Sequence, residues 1–245
     1  MMNTEQTIKN LNELRLFGMA NRYQIMVELG TRQELPDTHT ALAMLADAEK
    51  TLRSEKQMET NLKQAHLRYQ INPQEIECTT NRGLSREMWI ILCEGRYIKE
   101  GTNIIILGAT GVGKSAIACA LGRQACITGH KTKYFNMNKL TEHVNAAKLD
   151  GSYLKLLDQI AKTPLLILDD FGLKILDKDM RVTFYEILED RAGKGATIIT
   201  SQLPVANWYD RLVDSTLAEA CLDRLTGNSE KIELSGKSRR TKQQK

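Results

Sequence analysis

The chain lacks the features of a membrane-bound or oxidised protein. No apolar run approaches the ~20 residues needed to cross a bilayer, so no spanning helix and no membrane partner are expected. The opening Met1-Met2-Asn3-Thr4-Glu5-Gln6 has neither the basic region nor the apolar stretch of a secretory signal. Five cysteines (Cys78, Cys93, Cys119, Cys126 and Cys221) are odd in number, scattered, and never in C-x-x-C spacing. With four isolated histidines, they argue against zinc and against a disulfide framework. The expected compartment is reducing, most simply a cytoplasm. Aromatics are only 5 % of residues, so no aromatic-rich face for stacking single-stranded bases stands out. Internal repeats are absent, as are low-complexity tracts apart from a basic end.

What charge there is lies unevenly. The net value is +4, yet the first 70 residues hold nine basic and nine acidic side chains. The excess sits in the last fifteen, where Lys231, Lys237, Arg239, Arg240, Lys242 and Lys245 face only Glu233. Such a tail suits phosphate backbones; it equally suits a solvated terminus, and both readings stand.

Against these absences one segment is rich in chemistry. Gly108-Ala109-Thr110-Gly111-Val112-Gly113-Lys114-Ser115 fits G-x-x-x-x-G-K-S/T, follows the apolar Ile104-Ile105-Ile106-Leu107, and opens into a helix-prone run from Ala116. Glycines let successive N–H groups point at one anion, and the helix N-terminus adds a favourable dipole. The reading is a nucleoside triphosphate site over residues 108–116. Lys114 would reach the β- and γ-phosphates, and Ser115 would ligate Mg²⁺. Leu165-Leu166-Ile167-Leu168-Asp169-Asp170 supports it, being a continuous apolar run, as in a strand covered on both faces, that ends in two carboxylates. Asp169 would hold the Mg²⁺ shell opposite Ser115, and Asp170 would orient and deprotonate the attacking water. ATPases of the AAA+ type mostly carry Glu there. The shorter Asp implies either a water nearer the strand or slow turnover.

Along the chain, residues 1–72 read as a small helical domain. Ile8, Leu11, Leu14 and Phe17 recur at helical spacing, as do Leu42, Leu45, Ala48 and Leu52, then Leu62, Ala65 and Tyr69. Thr31 to Thr38, with Pro36 and Asp37, is a turn and helix start. Arg15, Arg22, Arg53, Lys56, Lys63 and Arg68 could track DNA phosphates or form a solvated face. Residues 73–100 connect, with a short helix near Trp89. From 101 to 234 strands and helices alternate: strands at 104–107, 132–136, 165–168 and 195–200, with helices between. This implies an α/β fold with a doubly wound parallel sheet, its site at the carboxyl ends of the strands. Residues 235–245 form the basic tail.

Three features separate the P-loop classes. The fourth strand ends Thr200-Ser201-Gln202, where AAA+ ATPases place the sensor 1 residue, here Ser201; an ordinary strand-to-loop passage reads the same. Ala218 to Leu225 forms an amphipathic helix ending in Arg224, either an arginine finger for a neighbouring subunit or a cation at a helix C-terminus. No N-K-x-D guanine reader is present.

With Asp169-Asp170-Phe171-Gly172, Thr200-Ser201-Gln202-Leu203-Pro204, Leu222-Asp223-Arg224-Leu225 and Gly236-Lys237-Ser238-Arg239-Arg240 in this order, the chain resembles IstB-type transposition helper ATPases, relatives of the DnaC helicase loaders, over nearly its full length. Leu14 to Ala20 is similar to the family's opening helix. The resemblance implies an AAA+ P-loop NTPase without a C-terminal lid, using ATP and Mg²⁺. It further implies assembly as a homo-oligomer on double-stranded DNA, with ATP between subunits and a cognate transposase as partner. Lys114, Ser115, Asp169 and Asp170 would act in cis and Arg224 in trans. Arg240 aligns with the family arginine; whether it senses nucleotide or binds DNA, and what Arg239 does, stays open. A helicase loader acting on single-stranded DNA and a replicative helicase is the alternative. A nucleotide-gated switch with little hydrolysis is a third reading.

Overall fold

Among residues 4–30, 36–212 and 215–239, which the computed structural model describes, five strands lie side by side in one parallel sheet of order β2-β3-β4-β1-β5. They are β1 (Asn103–Gly108), β2 (Thr132–Asn136), β3 (Leu165–Phe171), β4 (Ala196–Ser201) and β5 (Ser229–Leu234). The chain divides into two units, Met1–Thr60 and Asn61–Lys245, and the sheet belongs to the second.

Period-2 alternation splits the strand residues between two cores. Ile104, Ile106, Leu165, Ile167 and Ile198 pack with α6 (Lys114–Ile127) and with α4 (Arg86–Glu94) and α5 (Arg96–Glu100), including Trp89, Leu92 and Ile98. Ile105, Leu107, Leu166, Leu168 and Ile199 pack with α7 (Met137–Asp150), α8 (Tyr153–Ala161), α9 (Lys178–Arg191) and α11 (Ser215–Thr226), and with Trp208 just before α10 (Tyr209–Leu212). Both sheet faces are thus covered, which is why β1 and β3 read as unbroken apolar runs. The parallel doubly wound sheet expected from alternation is the one observed. Its strand count differs: β5 is a fifth strand, paired along β1, where the sequence reading stops at four. Ser229-Glu230-Lys231-Ile232-Glu233-Leu234 buries only Ile232 and Leu234 and sits at an edge, so its pattern is too charged to announce a strand. Lys231 and Glu233, read as part of a basic tail, belong to this strand.

Residues 73–100, read as a connector, are part of the second unit's core. Ser85 caps α4 by accepting a hydrogen bond from Met88 N at 3.1 Å, and the Trp89 ring N–H donates to the Pro73 carbonyl at 3.1 Å. The first unit holds α1 (Thr4–Glu13), α2 (Phe17–Gly30) and α3 (Thr38–Ala65), the last continuing past Thr60 into the second unit. Asp37 caps α3 through Thr40 N at 3.1 Å, as its place after Pro36 suggests. The uninterrupted spacing of Ile8, Leu11, Leu14 and Phe17 does not become one helix, nor is Leu14 to Ala20 a single helix. Arg15 is left-handed (φ 58°), and Leu16 N returns to the Leu11 carbonyl at 2.8 Å, ending α1 before α2 begins.

Candidate active site

The phosphate loop lies between β1 and α6, at the carboxyl end of a central strand. Gly113 (φ 102°) is the α6 cap and offers no side chain to it, so the positive end of that helix is presented to an anion. A Cβ at Gly113 would come within 2.6 Å of the Arg82 guanidinium, which itself donates to the Val112 carbonyl at 2.8 Å from beneath the loop. Lys114 is buried, its ammonium donating to the Gly108 and Ala109 carbonyls at 2.8 and 3.0 Å.

Asp169 is the centre of the arrangement and is fully buried. Its Oδ1 accepts from the Ser115 hydroxyl at 2.8 Å and from the Thr200 hydroxyl at 2.5 Å. Its Oδ2 accepts from the Tyr134 hydroxyl at 2.6 Å and faces the Arg68 guanidinium at 3.5 Å. Burial, then the neighbouring Asp169 carboxylate, pushes the Tyr134 phenol well above its ordinary pKa, which keeps it a donor.

Asp170 sits on a bulge. Leu168 pairs with Ile199 but Phe171 pairs with Ser201, so β3 carries one residue more than β4 there, and Asp170 takes a left-handed backbone (φ 63°). The bulge turns its carboxylate back to the Asp169 side. Its Oδ2 accepts from the Asn136 amide at 3.0 Å and faces Arg68 at 3.5 Å. Its N–H donates to the Thr200 hydroxyl at 3.0 Å.

The structure places Ser201 away from this cluster. It is buried, donates to the Phe171 carbonyl at 2.9 Å and accepts from Leu203 N at 3.1 Å. Its flanking residues make the polar contacts instead: Thr200 binds Asp169, and Gln202 Oε1 accepts from the Thr110 hydroxyl at 2.7 Å. One step along a strand reverses the face, so neighbouring residues at this strand end make different contacts.

A recess of about 180 Å³ is lined by the loop at Thr110, Gly111 and Gly113 to Ala116 together with Tyr69, Ile71, Asp170, Gln202 and Arg239. A larger one, about 780 Å³, shares Asp170 and adds Arg68, Lys133, Phe135, Lys139 and His143. Arg239 lies against the loop, its N–H donating to the Gly111 carbonyl at 2.9 Å and its guanidinium to Glu77 at 2.7 Å. Arg240 falls outside the described residues.

Arg224 is far from this loop. It pairs with Glu189 at 2.7 Å and Asp223 at 3.0 Å, and its carbonyl accepts from the Asn103 amide at 2.9 Å. Asn103 opens β1 and Gly108 ends it, so about 16 Å of strand separates the two ends. The other basic candidates are divided. Arg15, Arg22, Arg53 and Lys56 lie in the first unit, where Arg53 pairs with Glu49 at 2.7 Å and Lys56 stacks 4.7 Å over Phe17. Lys63 is exposed in the second unit. Arg68 is the largest departure, because it faces the carboxylates rather than an open basic surface. Tyr134 and Asn136 carry no signal of a site in the sequence, where Arg68 reads as a DNA-contact candidate and Thr200 as part of the strand-end motif.

The oxygen donors suit a hard divalent cation. A hydroxyl and a carboxylate 2.8 Å apart are the few protein ligands that Mg²⁺ requires beside phosphate.

Residues 9–245 match the family described as IstB-like ATP binding protein. The chain is similar to an insertion sequence ATP-binding protein of Sinorhizobium fredii, at 38 % identity over 239 residues, 98 % of this chain and 97 % of that one. It is similar to the IS21 insertion sequence ATP-binding protein of Pseudomonas aeruginosa, at 28 % identity over 235 residues, 96 % of this chain and 88 % of that one. The crystal structure of the DnaC helicase loader shares the fold, with a TM-score of 0.58 at 22 % identity, covering 67 % of this chain and 96 % of that one.

Proposed function

The chain belongs to the IstB-like ATP binding proteins of insertion sequences, and from that premise we propose that it is a Mg²⁺-dependent ATPase that assembles on duplex DNA and presents it to a partner transposase. The observation that carries the enzymatic part is the convergence of Lys114, Ser115, Asp169 and Asp170 at one loop mouth, with Ser115 and Asp169 in direct contact at 2.8 Å. Ser115 and Asp169 would hold Mg²⁺, which when bound would supply positive charge against that developing on the β- and γ-phosphates. Lys114 moves its ammonium from the loop carbonyls to phosphate oxygens. Asp170 orients the attacking water and takes its proton. Thr200 and Gln202 fit the sensor role better than Ser201, since their polar atoms line or brace the recess. The distance of Arg224 from its own loop supports action in trans, on the site of a neighbouring subunit.

Assembly and nucleotide binding are then coupled, because a shared site makes binding energy also assembly energy. The DNA contacts are assigned to the basic residues of the first unit and to the end of the chain, and the protein works in the cytoplasm. Binding of this kind is salt-sensitive and weakly sequence-specific.

The test is the size of complexes formed by wild type and Lys114→Ala with ATP and Mg²⁺, on duplex DNA, on single-stranded DNA and without DNA. Large ATP-dependent assemblies of the wild type on duplex, lost in Lys114→Ala, are expected. Assemblies on single strands alone would overturn the duplex reading and direct attention to a helicase as partner.

A further inference from the structure

Arg68 occupies a position that the ATPase chemistry does not call for. Asp169 accepts from four groups: the Ser115, Thr200 and Tyr134 hydroxyls and the Arg68 guanidinium. Three are neutral and lie at 2.5–2.8 Å, while Arg68 is charged, stands 3.5 Å away and is 40 % exposed in its side chain. It is at the same distance from Asp170 and so bridges both carboxylates. The surroundings favour its charge. Burial works against it, but Tyr69, Tyr134 and Asp169 outweigh that and hold its pKa above the ordinary value. The residue is held by a short, specific path: Leu67 is buried beside it, and His66 before it is left-handed (φ 52°) just after α3 ends at Ala65.

We propose that Arg68 is a resident cation at the carboxylate pair, one that competes with Mg²⁺ and thereby sets how much metal the nucleotide site needs. The inference rests on the ATPase reading above and adds a residue to it. The electrostatics fix the sign. Two carboxylates side by side repel one another, and a positive charge between them relieves that repulsion. A divalent cation approaching the same pair meets less negative potential while Arg68 is present, and the two cations repel. Of the four groups on Asp169, the guanidinium is therefore the one whose removal most strengthens metal binding. Ser115 is itself a metal ligand, and Thr200 and Tyr134 carry no charge. A partly exposed charge at 3.5 Å has a modest effect, about threefold to tenfold in the metal concentration required.

The experiment titrates Mg²⁺ into the full-length chain mixed with a fluorescent ATP analogue and reads nucleotide binding, not turnover. The variants are wild type, Arg68→Ala, Arg68→Gln and Arg68→Lys, each also measured in EDTA. Arg68→Ala and Arg68→Gln are expected to reach half-saturation at a Mg²⁺ concentration about threefold to tenfold lower than wild type. Arg68→Lys should stay within about twofold of wild type, because it keeps the charge. Affinity in EDTA should be shared by all four, which separates competition with metal from damage to the fold. An unmoved midpoint in the charge-removing variants overturns the inference, and so does a loss of nucleotide affinity that is equal with and without Mg²⁺, since Arg68 would then serve the phosphates. A wild type that binds no nucleotide at any Mg²⁺ concentration sinks the ATPase reading and this inference together. Binding without a shift sinks only this one.

Discussion

Asp170 has to satisfy two demands, a left-handed backbone on a bulge and a carboxylate lining the nucleotide recess. Asp tolerates that backbone region better than longer side chains do, since its short polar group bonds locally. This is a physical reason for Asp where AAA+ ATPases mostly carry Glu, and it needs no slow enzyme. Asp170→Asn retains the backbone tolerance but not the base, so turnover should fall by at least about 10²-fold with ATP binding kept. An unchanged steady-state rate would favour a nucleotide switch. At this scale the sequence is informative where chemistry is contiguous. The eight residues from Gly108 to Ser115, and the pair Asp169-Asp170, were legible because each motif carries its own context of strand and turn. Arg68 and Tyr134 were not, since they meet Asp169 from 101 and 35 residues away and no local pattern records such a contact.

Helix α2 starts on a cap supplied by another helix. Glu49 in α3 accepts from Gly18 N at 2.7 Å and Met19 N at 3.3 Å, and Arg53 holds its other oxygen. Gly18 is required for the approach, as a Cβ there would meet the Glu49 Cα at 2.6 Å. Burial alone would raise the Glu49 pKa, but Arg53 and the two N–H groups outweigh it and hold it below the ordinary 4.5. A depressed carboxylate stabilises fully above its unfolded value and loses that contribution as pH falls through the folded one. Helix content followed by circular dichroism through thermal melts should therefore show the first unit weakening below pH ~4.5. Glu49→Gln should cost about 1–2 kcal/mol at neutral pH and flatten that dependence. The last residue of α9, Arg191, is buried and donates to the carbonyls of Ile160, Thr163 and Ala196. Arg191→Met leaves those carbonyls without their donor and should cost about 3 kcal/mol in denaturant unfolding. Neither Glu49 nor Arg191 differs in sequence from an ordinary surface charge; their partners are distant and mostly backbone. Strands buried on both faces were legible, whereas β5 and the break at Arg15 were not, because an edge strand can be charged and a turn can interrupt an unbroken apolar spacing.

For the whole molecule, the alternation of strands and helices gave the layer order and the parallel sheet, because crossover connections leave little choice. Helical periodicity reads the first 100 residues as 1–72 and 73–100, whereas the two units divide at Thr60 and Asn61, because helices contribute to either unit with the same periodicity. All five cysteines are free thiols, and burial pushes Cys93 and Cys119 up to about 11 and Cys221 up to about 12. At pH 8 their thiolate fraction is about one in a thousand or less, so iodoacetamide should label these three slowly until urea unfolds the chain. Rapid labelling of the native protein would contradict that burial. The proposed completion of each ATP site by a neighbouring subunit is tested by mixing Lys114→Ala with Arg224→Ala on duplex DNA and measuring ATP hydrolysis. Each variant alone should be inactive, and an equal mixture should recover up to about a quarter of wild-type turnover, from interfaces that pair an intact loop with an intact arginine. No recovery by two variants that fold and mix, or full activity of Arg224→Ala alone, would contradict it.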